Sequence, residues 1–439
     1  MQDKTFVPFT KEMKKDYTIL VPTMLPMHFE LIASVFRTYG YRMELLTTSG
    51  PEIAEMGLRY PHNDACSPAV LVIGQFMTAL TSGQYDPDKT ALVMFQTGGG
   101  CRASNYISLI RKALKRAGMS HVPVISFSFS GLERHPGFRL TLPILHGLVY
   151  AVLYGDLLLT LVNQVKPYES TPGQAEALAG EWTQRLGREL GSGGKIRYRR
   201  ILENYQAILK GFAAIPRMAR DTVKVGVVGE IFVKYSPLGN NNLEAFLVHE
   251  GAEVVTPGLL DFCLYCVYNT QEDHRLYGRH ALSIPFVRFA YNLLCRKKRD
   301  IIKLMRAQGV FQPWTPFEDT AKMAEGYIHQ GTKMGEGWLL TAEMLELARS
   351  GCKNIVCTQP FGCLPNHICG KGMMKPIKER NPDVNIVAID YDASATRVNQ
   401  ENRLKLMLAN AKREASPPAC TDTRATPQPL AAQAAASLE

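Results

Sequence analysis

Two segments of this 439-residue chain alternate short β-prone runs with helical patterns, and this alternation constrains the fold more than any other feature. The first segment holds a strand, a helix and a strand, namely YTILVPTM (17–24), HFELIASVFRTYG (28–40) and YRMELL (41–46). The second repeats that order with VKVGVVGEIF (223–232), LEAFLVHEG (243–251) and AEVVTP (252–257). Strand–helix–strand alternation with short connections predicts parallel sheets covered by helices on both faces. We therefore predict an α/β fold.

Further elements extend both segments and set the domain boundaries. Strands at 90–100 and 121–129 flank a helix at 104–117, and a helix at 339–351 precedes strands at 353–360 and 384–392. We predict tandem doubly wound parallel-sheet domains joined by a helical linker. The four parts are a first α/β domain (16–166), the linker (167–220), a second α/β domain (221–412) and a disordered Pro/Ala/Thr tail (413–439).

Composition and charge predict a soluble cytoplasmic protein. The N-terminal sequence has no apolar signal core, and the apolar stretch Leu140–Val165 is interrupted by Pro143, His146 and Asp156, so we expect a buried helix there and no membrane partner. The net charge of +10 is not concentrated in an arm or a run. It favours an anionic small molecule as ligand, and no nucleic acid partner is expected.

Three of the ten cysteines occupy matching positions. In a reducing cytosol, cysteines are buried hydrophobes, metal ligands or nucleophiles. Cys66 precedes a helical pattern opened by Ser67-Pro68, while Cys101 and Cys363 each follow a strand and precede a helix. Free N–H groups and the helix dipole at such positions lower a thiol's pKa and favour the metal-binding thiolate. These three residues are the candidate ligands of a metal cluster between the two domains.

The other cysteines are open to plainer interpretations. Cys263 and Cys266 form a C-x-x-C in an apolar context that favours packing, with a redox or ligand role as the alternative. Cys369 is a fourth ligand or a residue on a helix face. Four others are assigned to the core or the tail: Cys295, Cys352, Cys357 and Cys420. No spacing matches a ferredoxin or a zinc ribbon, and TGGGCRASN matches no nucleotide-binding loop.

Several motifs together resemble the 2-hydroxyacyl-CoA dehydratase family, in the branch associated with or fused to the family's activase. They are HNDACSP (62–68), TGGGCRASNY (97–106), VGEIF (228–232), QPFGCLPNH (359–367) and IDYDASATRVNQENR (389–403). The resemblance spans about residues 16–411. Each motif is short, so the combination carries the resemblance.

The resemblance implies a fold, a cofactor and a reaction. It implies tandem flavodoxin-like (Rossmann-like) domains and an oxygen-sensitive [4Fe–4S] cluster on Cys66, Cys101 and Cys363. The protein would form a homodimer or a heterodimer with a paralogous subunit. An ATP-dependent iron–sulfur activase would supply single electrons, and a ketyl radical on an acyl-CoA substrate would lose its hydroxyl group, which makes the enzyme a lyase.

Two other functions stay open. An ATP-dependent reductase or electron-transfer component with a double-cubane cluster would recruit some of Cys263, Cys266, Cys357 and Cys369. A non-catalytic accessory subunit would retain only the fold. Glu230 and Arg102 are the candidate catalytic residues, because they stand beside strand ends. His62, Asn366 and His367 flank the cysteines, and Gly335, Gly337 and Trp338 line a pocket or form a tight helix start.

Overall fold

A computed structural model describes residues 6–61, 65–95, 101–127, 133–193, 197–392 and 395–415. Its strands are β1 (Thr18–Pro22), β2 (Arg42–Leu46), β3 (Thr90–Phe95), β4 (Val124–Phe127), β5 (Val223–Gly229), β6 (Ala252–Val255), β7 (Asn354–Pro360) and β8 (Asn385–Tyr391). Its first helices are α1 (Met13–Asp16), α2 (Pro26–Thr38), α3 (Pro51–Arg59), α4 (Ser67–Thr81), α5 (Tyr106–Arg116), α6 (Leu142–Val165), α7 (Gln174–Leu190) and α8 (Tyr198–Ala213). The later ones are α9 (Ile231–Tyr235), α10 (Leu243–His249), α11 (Leu259–Tyr277), α12 (Ile284–Gln308), α13 (Phe317–Met323), α14 (Trp338–Arg349), α15 (Met374–Arg380) and α16 (Arg397–Ala415).

The strands form two four-stranded sheets whose orders are equivalent. The first sheet runs β2-β1-β3-β4 and the second β6-β5-β7-β8, and every strand pair is parallel. This 2-1-3-4 order is that of flavodoxin-like folds, in which ligands bind where the order reverses, beyond the carboxyl ends of the strands. The predicted tandem of doubly wound α/β units is therefore confirmed, and the reversal points lie between β1 and β3 and between β5 and β7.

Strand β5 is shorter than the sequence predicts. The apolar run predicted a strand over 223–232, but β5 ends at Gly229 and α9 begins at Ile231. Gly229 has φ +147°, and a Cβ there would lie 1.9 Å from the carbonyl oxygen of Thr358 on β7. Only glycine allows this close approach. Glu230 then caps α9, since its carboxylate accepts a hydrogen bond from the Val233 N–H at 2.8 Å.

The apolar stretch of the first segment forms α6, which is a core helix as predicted. It is long and apolar enough to cross a membrane by length and composition, yet 67% of its most apolar window is buried inside the protein. Asp156, which interrupts that stretch, is only 2% exposed. Its carboxylate accepts hydrogen bonds from the N–H groups of Leu259 and Leu260 at the start of α11, each at 2.8 Å. A polar residue in an apolar helix thus joins the two units.

The predicted linker is helical and packs into the first unit. Its helices α7 and α8 contribute Trp182, Leu186, Ile208 and Phe212 to the same apolar core as α2 and α6. That core also takes in side chains of α11, α12 and α14 from the second unit. The two units therefore share buried apolar surface.

Candidate functional site

Cys101, Glu230 and Cys363 follow the carboxyl ends of strands, where the topology places a ligand site. Glu230 and Cys363 follow β5 and β7, on either side of the reversal point of the second sheet. Cys101 follows β3 and caps a short 3₁₀ turn over Arg102–Asn105. Cys66 is the N-cap residue of α4. All three cysteines therefore precede a helical segment, as predicted, and all are half-buried.

A glycine brings the two units together at this edge. Gly335 lies in the segment before α14 and has φ +57°. A Cβ on Gly335 would lie 3.2 Å from the Pro365 ring, two residues after Cys363, and 3.8 Å from Cys101 Sγ. The loops that carry Cys101 and Cys363 therefore converge on the same glycine, although one belongs to each unit.

Glu336 is the residue that the sequence analysis missed. It lies between Gly335 and Gly337, two glycines with positive φ, and is 7% exposed. Its Oε1 accepts a hydrogen bond from the Ile231 N–H at 2.9 Å, and its Oε2 accepts one from Asn366 Nδ2 at 3.4 Å. It thus connects the start of α9 with the segment after Cys363. A Gly-Glu-Gly sequence at a helix start is the only signal that could have indicated it.

The half-buried Glu230 and the buried Glu336 are a pair of carboxyl groups that interact electrostatically. Burial and then the negative charge of Glu336 raise the pKa of Glu230 to about 8. Burial also raises the pKa of Glu336, against the hydrogen bond from Ile231. Like charges in a low-dielectric site make double ionisation unfavourable. The pair therefore holds a proton near neutral pH and suits acid–base chemistry.

Hydrogen-bonding neighbours lie close to the sulfur atoms of Cys66, Cys101 and Cys363. Cys66 Sγ lies 3.1 Å from the Tyr106 hydroxyl. Cys101 Sγ accepts from the Ala103 N–H at 3.5 Å, and Cys363 Sγ accepts from Asn366 Nδ2 at 3.3 Å. Donors to sulfur are the interactions by which proteins adjust the reduction potential of a cluster.

The prediction that these thiols have lowered pKa values is wrong for the protein without a bound metal. Burial raises the pKa of Cys66, and it raises those of Cys101 and Cys363 to about 11 and about 12. The charges of Glu230 and Glu336 act in the same direction, and the local donors do not compensate. Metal binding would therefore have to displace the thiol protons.

The donor set fits an iron–sulfur cluster. Three soft sulfur donors at helix starts, each still partly accessible, are the ligands that such clusters require. Among the described residues, no three His, Cys, Asp or Glu side chains converge closely enough to hold one metal ion. The ligands of a single metal ion must meet around one point. The cysteine ligands of a cluster bind different irons, so they need not converge in that way.

The remaining candidates divide by location. Arg102 is exposed, and its charge lowers the pKa of Cys66, although burial outweighs it. His367 Nδ1 lies 2.8 Å from the Cys363 carbonyl oxygen. Trp338 is fully buried at the start of α14, where its indole N–H donates to Asn269 Oδ1 at 3.0 Å. His62 and the glycines at 98–100 lie outside the described residues.

The other cysteines separate into core and cleft positions. Cys295, Cys352 and Cys357 are buried, as predicted for core residues. Cys369 is buried in the π-helical segment Asn366–Gly370. Cys263 is half-buried on α11, whereas Cys266 is exposed there. Burial and then the charge of Glu336 raise the pKa of Cys369 to about 11. Although Cys266 reaches the surface, the protein packed around its thiol and then the charge of Glu336 raise its pKa to about 12. Both thiols therefore share the electrostatic environment of Cys101 and Cys363.

Comparison with known proteins adds no family assignment: no protein-family model matches this chain, and no curated protein matches it significantly.

Proposed function

We propose that this chain is the iron–sulfur subunit of a cytoplasmic enzyme resembling the 2-hydroxyacyl-CoA dehydratases. The observation that carries the proposal is the convergence of the Cys101 and Cys363 loops on Gly335, next to the carboxyl pair Glu230–Glu336. Cys66, Cys101 and Cys363 would hold a [4Fe–4S] cluster, which when bound supplies chemistry in single-electron steps. An ATP-dependent iron–sulfur activase would be the electron donor.

The chain's own residues account for the proton transfers that a dehydration needs. A 2-hydroxyacyl-CoA that gains one electron at its thioester carbonyl becomes a ketyl, loses hydroxide, loses a β-proton and returns the electron, so that enoyl-CoA and water result. A carboxyl group with a pKa of about 8 donates a proton to the leaving hydroxide and accepts one from carbon at neutral pH. Glu230 takes this role, and desolvation together with the charge of Glu336 keeps it protonated.

Arg102 has a separate electrostatic role in this proposal. Its exposed guanidinium follows Cys101 directly and acts on the thiol of Cys66. A cation at this position would stabilise the negative charge that develops on the carbonyl oxygen of the ketyl. It also attracts an anionic acyl-CoA towards the site.

Anaerobic purification followed by iron and acid-labile sulfide analysis tests the proposal. We expect about four irons per chain, from the cluster type. Cys66→Ser, Cys101→Ser and Cys363→Ser should each lose the cluster, whereas Cys295→Ala, which removes a buried core thiol, should keep it. Retention of the cluster in all three serine variants would refute the ligand assignment.

A second candidate function is an ATP-dependent reductase or electron-transfer component with a double-cubane cluster. The observation that favours it is the shared effect of Glu336 on Cys266, Cys369, Cys101 and Cys363. About eight irons per chain, and their partial loss in Cys266→Ser or Cys369→Ser, would support this function. A protein that binds no iron under reconstitution would instead be an accessory subunit.

A further inference from the structure

The hairpin of α11 and α12 carries large apolar side chains on its outer surface. Leu282 is fully exposed, Phe286 and Phe289 are 68% and 66% exposed, and Tyr277 and Leu293 are also exposed. The opposite face of α12 is anchored in the protein through Tyr291, Cys295, Ile301, Ile302 and Met305, all buried. Contiguous apolar patches of this size on soluble proteins mark interaction sites. We refer to Phe286, Phe289 and Leu293 on α12, together with Leu282 in the turn before it, as the α12 stripe.

The spacing of the α12 stripe fits a helical partner. Its three members on α12 follow one another at intervals of three and four residues, and Leu282 stands four residues before Phe286, in the turn that leads into the helix. This is the a/d spacing of a coiled-coil seam, in which each apolar side chain inserts between residues of a facing helix. Helix α12 is packed against the protein on one side, and its exposed seam on the other side can accept a facing helix.

The positions flanking the stripe carry no charge that would repel an identical partner. Residues that adjoin the seam on either side are uncharged over its length: Ser283, Pro285, Ala290 and Asn292. Charged residues at these positions would select an oppositely charged partner, or repel an identical one. Their absence permits an identical α12 and gives no specific attraction to an anionic lipid surface or an acidic protein.

The exposed area is sufficient for a stable contact between two copies. The four residues of the α12 stripe and Tyr277 at the end of α11, at roughly 150–250 Å² for each large side chain and at their exposed fractions, present about 600 Å² per copy. Two copies would bury about 1,200 Å², which reaches the lower limit of specific interfaces. A twofold axis supplies the matching stripe without any further partner.

The charge distribution along α12 sets the orientation. Its C-terminal half carries exposed basic residues, Arg296, Arg299, Lys303 and Arg306, and its N-terminal half carries Arg288 alone. Parallel packing would place the two basic halves side by side, whereas antiparallel packing separates them. Antiparallel packing also aligns the helix dipoles favourably.

We infer that the α12 stripe is the interface of a homodimer in which α12 of one copy packs antiparallel on α12 of the other. Leu282 of one copy then faces Leu293 of the second copy, and Phe286 faces Phe289. The inference uses no residue of the cysteine site and no bound cluster. It holds or fails independently of the proposed function, and it specifies which surface forms the dimer.

Sedimentation equilibrium of the protein at micromolar concentration tests this interface. We expect the wild type to sediment with twice the mass of one chain, and the double variant Phe286→Glu/Phe289→Glu to sediment with half that mass and an unchanged circular dichroism spectrum. The matched control is Val398→Glu/Leu406→Glu on α16, where both side chains are 64% exposed, and it should stay dimeric. A monomeric wild type, or a dimer that survives the double variant, overturns the inference.

Cross-linking tests the antiparallel arrangement. A mixture of Leu282→Cys and Leu293→Cys chains, treated with a short bismaleimide, should yield the 282–293 linked peptide in mass spectrometry. Linkage of 282 to 282 and of 293 to 293 in its place overturns the antiparallel geometry. Iron and sulfide content of the monomeric variant is measured in parallel, so that an incorrect interface and an incorrect cofactor give different results.

Discussion

His28 Nε2 lies 2.8 Å from Asp156 Oδ1, and both side chains are buried where α2, α6 and α11 meet. The same carboxylate accepts the two N–H groups that open α11. One acid of the first unit therefore satisfies donors from both units. Replacing Asp156 removes the shared partner of all three donors at once.

Asp156→Ala should lower the free energy of unfolding by about 3–5 kcal/mol, because it leaves a buried imidazole and two buried N–H groups without an acceptor. Urea denaturation measures the change. Asp383→Ala removes an exposed acid paired with Lys353 and should leave stability unchanged. Equal stability of the two variants would show that the contact between α6 and α11 carries no net free energy.

Gly335→Ala should both destabilise the protein and impair cluster assembly. A left-handed backbone costs a non-glycine residue about 1–2 kcal/mol, and the new methyl group would also press on Pro365 next to Cys363. Gly351→Ala is the matched control, since Gly351 has φ +87° and open space around its missing Cβ. We expect both variants to lose stability, Gly335→Ala more than Gly351→Ala, and only Gly335→Ala to lose bound iron. Equal iron content in the two variants would show that Gly335 plays no part in cluster assembly.

Glu336→Gln should flatten the pH dependence of stability in the metal-free protein. The pKa of Glu230 is raised from 4.5 to about 8, so its contribution to stability is present below pH 4.5 and is lost as the pH rises through 8. Removing the charge of Glu336 lowers the pKa of Glu230. Each tenfold change in its acid dissociation constant changes its contribution to the free energy of unfolding by about 1.4 kcal/mol. Urea denaturation at several pH values measures the effect. Glu379→Gln, on the exposed face of α15, should reproduce the wild-type profile.

Glu133→Gln should remove a contribution to the free energy of unfolding that the wild-type protein loses in acid. Burial opposes ionisation of Glu133, but hydrogen bonds from His135 and Arg111 prevail and lower its pKa to about 2. This group stabilises the fold above its ordinary pKa of 4.5, and the contribution disappears as the pH falls from 4.5 towards 2. We expect a loss of about 1–3 kcal/mol at pH 7 and none near pH 2. A constant difference across acid denaturation curves would contradict this assignment.

The sequence predicted the two sheets because buried parallel strands are local apolar runs that short turns and helices separate. It also predicted that Cys101, Glu230 and Cys363 share one edge, since parallel topology fixes where strands end. Glu336 was missed because its partner Ile231 is 105 residues away and no periodic pattern marks its loop. The prediction of lowered thiol pKa values was wrong for a related reason. A helix start is visible in sequence, whereas the burial that outweighs it depends on the packing of both units.

The sequence also could not predict that the residues of the α12 stripe are exposed. Phe286 and Phe289 are apolar residues in a helical pattern, and the buried Tyr291 and Cys295 belong to the same pattern. Only the packing of α11 and α8 against α12 decides which residues are covered. A helix that is apolar on two faces gives a sequence pattern that does not separate the faces.

The apolar core that α6 shares with both units has a consequence for how the chain unfolds. Side chains from Phe9 to Ala342 belong to one buried cluster, to which α6 contributes along its length, from Ile144 to Val165. Unfolding of one unit alone would expose apolar surface of the other, so unfolding one while the other stays folded is unfavourable. The two sheets should therefore give a single calorimetric transition, in which the calorimetric and van't Hoff enthalpies agree, despite the outward appearance of two domains.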